Sequence, residues 1–245
     1  MGCLLRALLI VSLSCLSALS SAEELRWGFS SADGMPYVEV KEQQLRGGFT
    51  HRLGTRVSQR LGLAPRFIET PNKRLETFIQ QGRIHLICNA NPEWVAEPHR
   101  YHWSPALYQE EDVLLLHNQH APIDSLEDLY GAVLGTQLGY VYSVPLMEAF
   151  ARRLVTRRNV RDLDTGLTML SKQRIDALID MRRPLTHKLA RRPELPVRFS
   201  SWVVQRYDLH CLYGPQLPVS AERLDSLLLE LRDTGEIARM LDGAP

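Results

Sequence analysis

Short apolar runs alternate with amphipathic stretches along most of the chain. Leu25 to Phe29 reads as a first strand. Gly47-Gly48 marks a turn. From His51 to Leu61 the apolar residues Leu53, Val57 and Leu61 recur every four positions, the spacing that gives a helix one buried face. Thr50 stands where it can cap that helix and Gly62 where it can end it. Arg66 to Ile68 is a short strand. Asn72 precedes a second helical stripe of Leu75, Phe78 and Ile79 that closes at Gly82, and Ile84 to Cys88 is again a strand. The order β-α-β-α-β predicts a mostly parallel sheet covered by helices.

The middle of the chain repeats the theme. Asp112 to Leu116 is an apolar strand, Ser125 to Leu129 a short helix, and Val133 to Thr136 a strand running into Gln137-Leu138-Gly139. Ser143 caps a helix through Phe150 and Arg153, and Leu163 to Leu170 carries another helical stripe. Ile175 to Ile179 is a strand, Pro184 to Arg191 a helix, and Leu209 to Tyr213 a returning strand. A long helix follows from Ala221 to Arg232, with Leu224, Leu227, Leu228 and Leu231 on one face. Two α/β units and a final helix, with no long linker, predict two lobes crossed by the chain more than once.

The N-terminus changes the picture of where this chain works. One basic residue, Arg6, precedes an apolar stretch from Ala7 to Leu16, and Ser20-Ser21-Ala22 offers the small residues a signal peptidase reads. A secretory signal spanning residues 1–22, cleaved after Ala22, is expected. The stretch is shorter than the roughly 20 apolar residues a membrane span needs. Cleavage leaves about 220 residues, room for one large or two small domains. Cys3 and Cys15 leave with the signal, so Cys88 and Cys211 are a candidate bridge in an oxidising compartment. Lysine plus arginine (29) nearly balance aspartate plus glutamate (28), against the basic excess of a nucleic-acid binder.

Several spacings together resemble a known family, the periplasmic solute-binding proteins of polar amino-acid ABC transporters (family-3 extracellular binding proteins). Asp33-Gly34-Met35-Pro36-Tyr37 resembles its aromatic-proline ligand loop, and Gly48-Phe49-Thr50 its Gly-Phe-Asp turn with threonine in the aspartate's place. Gly82-Arg83-Ile84-His85 is similar to Gly-x-x-Asp, with His85 as the departure. Trp103-Ser104-Pro105-Ala106-Leu107-Tyr108 resembles the Phe-Ser-x-Pro-Tyr element before the hinge. Leu126 to Gly131, then Gly135 to Gly139, then Arg174-Ile175-Asp176-Ala177 follow in the family's order. The resemblance runs from Leu25 to Leu241. It implies an α/β, type II two-lobed periplasmic binding protein fold. Lobe I takes residues 23–112 and 204–245, lobe II residues 113–203, and a hinge lies near Val113 and Val204. It further implies a monomer that closes over a small polar ligand and serves an inner-membrane permease or a sensor, without cofactor or metal. In the family the strands carrying Cys88 and Cys211 are neighbours.

The residues that read an α-amino acid in this family depart here. Counting back from Trp103 to the carboxylate-binding arginine lands on Glu97, with Arg100 three residues later. The ammonium-binding acid falls on Met181, with Asp180 one place earlier and therefore on the other face of a strand. Losing a charge-assisted contact costs roughly 1.5–3 kcal/mol, so standard α-amino acids are expected to bind weakly. An amine, or a cationic or uncharged polar molecule, is the expected ligand. The expected ligand set is Tyr37, Asn89, Asn91, Trp94, Glu97 and Arg100 from lobe I, with Gln137, Tyr140, Tyr142 and Asp180 from lobe II. Each has a structural alternative. Asn91-Pro92 also makes a turn, the two tyrosines also fill a core, Trp94 also caps a sheet edge, and Glu97 with Arg100 also forms a surface pair.

Other chemistry finds less support. His99/His102 and His117/His120 have metal-ligand spacing but no acidic or cysteine partner at fixed spacing. No Gly-x-Ser-x-Gly elbow or phosphate-binding Gly-x-x-x-x-Gly-Lys loop occurs. Glu110-Glu111-Asp112 is expected to be solvated at a strand entrance. A dehydratase-like enzyme on the same fold remains an alternative, with Glu97 as its acid.

Overall fold

The computed structural model describes residues 23–243. The expected signal segment, with Cys3 and Cys15, lies outside the described residues. In chain order the elements are β1 (Glu24–Phe29), β2 (Glu39–Lys41), β3 (Gln44–Gly47), α1 (Phe49–Leu61), β4 (Ala64–Glu69), α2 (Leu75–Gln80), β5 (Leu86–Ala90), β6 (His102–Trp103) and β7 (Tyr108–His117). They continue with β8 (Val133–Gln137), α3 (Val144–Ala151), β9 (Thr156–Val160), α4 (Leu163–Ser171), β10 (Ala177–Met181), α5 (Arg182–Ala190), β11 (Val197–Tyr213), α6 (Ala221–Asp233) and α7 (Glu236–Leu241). Among the described residues no helix is long and apolar enough to cross a membrane.

The strands follow one path, β4-β1-β5-β11-β7-β10-β8-β9, with β6 added on β11. The first part is lobe I. There β1 runs parallel to both β4 and β5, and the C-terminal end of β11 runs antiparallel to β5 and β6. The second part is lobe II. There β8 runs parallel to β9 and β10, and β7 is antiparallel to β10. β11 continues from one lobe into the other, pairing with β7 from Val197 to Leu209.

The central strands of each lobe are buried on both faces, which is why they read as continuous apolar runs. In lobe II, Val113 and Leu115 enter one core with Leu167, Leu178 and Leu185, and Leu114 and Leu116 enter the other with Leu134, Leu146 and Ile179. Neighbouring residues of one strand point to opposite faces. In lobe I, the stripes of α1 and α6 (Leu53, Val57, Leu224, Leu228, Leu231) pack on Leu25, Trp27 and Leu86. Phe78 and Ile79 of α2 cover the other face with Ile84, Ile87 and Leu212.

Several expected boundaries move for identifiable reasons. Helix α1 starts at Phe49, so Thr50 lies inside it and is buried, and the capping position belongs to Gly48. Gly48 has φ 89°, and a Cβ there would collide with the Tyr37 carbonyl, so only glycine fits. Asn72 opens a short 3-10 turn ahead of α2 and makes no capping bond at the helix start. Residues 127–129 form a 3-10 turn, not an α-helix. β11 is 17 residues long because it crosses between lobes. Its exposed Ser201, Arg206 and Asp208 interrupt the apolar pattern and hide its length. The β2–β3 hairpin, β9 and α7 carried too few periodic apolar positions to be anticipated.

The crossing is irregular where it must bend. The β7–β11 register shifts between Phe199 and Val203 and again between Val203 and Gln205. Two consecutive glutamates of β7 tie this region to both lobes. Buried Glu110 accepts the hydroxyl of Tyr37 from lobe I and the Arg183 guanidinium of α5 at 2.7 Å. Glu111 takes Arg182 of α5 at 2.6 Å and Arg206 of β11 at 2.7 Å. The expectation that this acidic run is solvated is corrected here: Glu110 is 2% exposed and Asp112 6%.

Cys88 of β5 and Cys211 of β11 form a disulfide, with Cα atoms 3.8 Å apart and 123 positions between them in sequence. A bridge over so long a loop restricts the unfolded chain, an effect of about 2–5 kcal/mol. The double variant Cys88→Ser/Cys211→Ser should lower unfolding stability by about that amount, read from the urea midpoint. Counting thiols on denatured, unreduced mature protein should find none, and finding two means the bridge does not form. Arg183→Ala should release α5 from Glu110, leave a carboxylate buried beside Tyr37 alone, and cost about 2 kcal/mol. Small-angle scattering should then report a larger radius of gyration than the wild type has; an unchanged radius means the contact does not hold the lobes together.

Candidate functional site

The lobes meet across a cleft at the C-terminal ends of their strands. A 3-10 turn follows β1, with Ser30 capping it and Asp33 closing it. Asp33 Oδ1 accepts the Tyr140 hydroxyl of lobe II at 3.0 Å, and its Oδ2 accepts Asn89 Nδ2 at 3.2 Å. Gln137 Nε2, at the end of β8, reaches across to the Ala32 carbonyl at 3.3 Å. Asn89 holds a left-handed φ of 59° at the end of β5, a conformation asparagine tolerates better than most residues. That turns its amide inward, where Oδ1 also accepts the Tyr108 hydroxyl at 2.7 Å.

Between the lobes lies a cavity of about 80 Å³. Lobe I supplies Asp33, Asn89 and Trp94 with apolar Leu75 and Ile87. The crossing strands supply Asp112 and Tyr207, and lobe II supplies Tyr140, Val141 and Met181. Among the described residues no lysine, arginine or histidine is in the lining itself, and Lys73 packs against Gly139 at its edge.

Three carboxyls gather here. Asp112 Oδ1 accepts the Tyr207 hydroxyl at 2.9 Å. Asp180, just behind the wall, accepts Gln137 Nε2 at 2.7 Å and the Met181 amide at 2.7 Å. Burial pushes Asp33 up to about 6, with Glu69 adding a smaller push and the bonds from Asn89 and Tyr140 opposing it. Burial pushes Asp112 up to about 7, with the negative charges of Asp180 and Glu110 adding to it. Burial likewise pushes Asp180 up to about 7, with Asp33 and Glu110 contributing. Taking a carboxylate out of water disfavours its charge, and like charges nearby disfavour it further.

The expected ligand set divides in two. Asn89, Trp94 and Tyr140 line the cavity. Gln137 and Asp180 stand behind it as a buried pair. The others lie elsewhere. Tyr37 is fully buried under Glu110. Asn91 caps the turn at Pro92 through the Glu93 amide at 2.8 Å and donates to the Asp208 carbonyl. Tyr142 packs in the lobe II core, its hydroxyl accepting the Gln137 amide at 2.9 Å. Glu97 and Arg100 bond each other at 2.6 Å with side chains 51% and 57% exposed. Pro98 starts a 3-10 turn between them, and the i,i+3 spacing brings their ends together in solvent, away from the cavity.

Sequence reasoning missed Asp33, Asp112 and Tyr207. Asp33 belonged to the loop that resembles the family's ligand loop, and the next aromatic, Tyr37, drew the attention. Asp112 sits two residues from Glu110, so both side chains leave one face of β7. That alternation was the available signal for a shared buried environment. Tyr207 carried none.

No family profile matches the chain, and no curated protein matches its sequence. Solved structures do match over nearly the whole length. An ancestral arginine-binding protein bound to arginine is 18% identical with a TM-score of 0.74, over 90% of this chain and 97% of that one. The ligand-binding core of GluR0 with L-glutamate is 15% identical with a TM-score of 0.76, over 91% and 98%. AbpA from Streptococcus pneumoniae, an amino-acid ABC transporter substrate-binding protein bound to L-arginine, is 16% identical with a TM-score of 0.70, over 90% and 93%. The chain has the two-lobed α/β fold of the periplasmic binding proteins.

Proposed function

We propose that the chain is a periplasmic solute-binding protein that closes over a small cation and delivers it, unchanged, to an inner-membrane permease. The observation that carries this reading is the cavity wall. Carboxyls from lobe I (Asp33) and a crossing strand (Asp112), with Asp180 of lobe II behind, converge on a space whose lining, among the described residues, holds no basic side chain. Bringing these charges together is unfavourable unless they are protonated or a cation sits among them. A cation therefore binds the closed arrangement better than the open one, which is the requirement for a ligand to drive closure.

The lobes are delimited at 112/113 and 203/204 in this proposal, with the register shifts of β11 around Val203 absorbing the motion. Catalysis is not part of the reading, since Glu97 is ion-paired in solvent. A sensor uses the same closure, and the fold also serves as the ligand-binding core of GluR0. Co-purification with a permease supports transport, and co-purification with a membrane signalling protein supports sensing.

Calorimetry on the mature protein tests the charge requirement. Small cationic amines should bind, and the standard α-amino acids should bind at least about a hundredfold more weakly, since no basic group meets their carboxylate. Asp112→Asn should weaken cation binding by about tenfold or more. Micromolar binding of a neutral α-amino acid by the wild type would sink the reading.

The pH dependence has a definite sign. The three carboxyls are protonated and neutral well below 6 and ionised above 7. Cation affinity should therefore rise from about pH 5 to about pH 8, with protons released on binding. Without solute, folding stability should move the other way. Groups raised above their ordinary 3.8 contribute stability that is fully present below that value and lost as pH climbs through 6 to 7. Thermal melts with and without cation across this range check both directions.

A further inference from the structure

We infer that the cation the cleft takes is an alkylated ammonium, a nitrogen bearing three or four carbon substituents, and not a primary amine or a guanidinium. This rests on the reading of the cleft as a cation site and narrows it to a chemical class. The first ground is how the carboxylate oxygens are used. Both oxygens of Asp33 already accept hydrogen bonds, from Tyr140 and Asn89. Both oxygens of Asp180 do as well, from Gln137 and Met181. Asp112 gives Oδ1 to Tyr207, and its Oδ2 is the one oxygen of the six without a donor among the described residues. Each of the other five keeps one of its two lone pairs, so further donors must share oxygens that are already bonded. A primary ammonium brings three N–H donors and a guanidinium five. Each donor that loses water without finding an acceptor costs affinity. A tertiary ammonium brings one N–H, which Asp112 Oδ2 can accept, and a quaternary one brings none.

The second ground is the walls. The tyrosine hydroxyls of Tyr140 and Tyr207 are spent on Asp33 and Asp112, so these side chains offer the cavity ring surface and not donors. Trp94 meets Tyr207 edge to face, with ring centres 5.3 Å apart at 75°. Three aromatic residues from both lobes and a crossing strand thus line a space whose charge comes from Asp33 and Asp112 in the same wall, with Asp180 behind it. Alkyl groups on a cationic nitrogen carry its positive charge outward onto such rings, and a cation over an indole face is the strongest arrangement of this kind. Leu75, Ile87 and Met181 complete an apolar lining that suits methyl groups and offers N–H groups nothing.

The third ground is size. A water's share of liquid volume is about 30 Å³, so a cavity of about 80 Å³ has room for the equivalent of about three waters. Tetramethylammonium and choline are nearer that size than arginine is.

Calorimetry on the mature protein at about pH 8, where the carboxyls are ionised, separates the possibilities. The probes are choline, tetramethylammonium, 1,4-diaminobutane, arginine, and 3,3-dimethylbutan-1-ol as the neutral shape-match of choline. Choline or tetramethylammonium should bind at least about tenfold more tightly than 1,4-diaminobutane or arginine, and the neutral alcohol at least about tenfold more weakly than choline. Trp94→Leu should lose about tenfold in choline affinity while Trp94→Phe keeps most of it, with thermal melts showing that both variants fold. If Trp94→Leu does not fold, the Phe variant and the wild-type ranking still decide. Tight binding of 1,4-diaminobutane or arginine with none of choline or tetramethylammonium overturns this inference and leaves the cation reading standing. Equal affinity for choline and its neutral match overturns both, as does a failure of every cation to bind.

Discussion

The antiparallel ladder of β7 and β11 runs through both lobes, and everything that distinguishes one lobe from the other is arranged around it. Each of these strands gives one end to the lobe I side and the other to the cores of lobe II. The ladder carries Glu110, Glu111 and Asp112 on one strand and Arg206 and Tyr207 on the other. These polar residues can be buried there because partners arrive from every side: Tyr37 from lobe I, Arg182 and Arg183 from α5, and each other across the pair. A buried charge without such partners costs several kcal/mol, so the ladder and its ion pairs need the lobes in place.

The cleft uses the opposite arrangement a few ångströms away. At Glu110 and Glu111 each acid faces an arginine, and the pairs tie the hinge to α5. At Asp33, Asp112 and Asp180 the acids face tyrosine, asparagine and glutamine, which orient a carboxylate without neutralising it. One acidic run on one strand therefore serves two ends. Glu110 completes the closed scaffold with an arginine, and two residues later Asp112 meets only the Tyr207 hydroxyl. Both positions are buried, so the difference lies in the partners and in the register shift of β11 beside Asp112.

The fold was largely legible because its strands are buried on both faces and its helices on one. Val113 to Leu116 and the Leu224–Leu231 stripe are unmistakable patterns, and the order of the shorter motifs carried the architecture. The cleft was less legible, for a physical reason. Ligand walls in this fold are made where strands end and chains from different lobes meet, so the neighbours of Asp33 are Asn89 and Tyr140, 56 and 107 positions away. Sequence order holds no record of such meetings. Counting from a family motif placed Glu97 and Arg100 in the cleft, but the turn at Pro98 aims both at solvent. The count failed because position along a loop does not set direction. Asn91 and Tyr142 show the same limit in reverse: polar and aromatic residues of the right type whose bonding capacity goes to a turn and to a backbone amide.

The late position of β11 also sets the order in which this chain can become a protein. β5 finishes at Ala90, yet its partner at Cys211 is separated from Cys88 by 123 positions. At synthesis rates of about 5–20 residues per second, that interval lasts roughly 6–25 s. Throughout it β1, β4 and β5 form a partial sheet whose inner edge offers unpaired N–H and C=O groups, while β7 in the other lobe waits for the same missing strand. The emerging chain thus spends those seconds as an open edge and not as a folded lobe. It can be threaded or held in that state, and it is at its most prone to stick to a second copy of itself until the last quarter arrives.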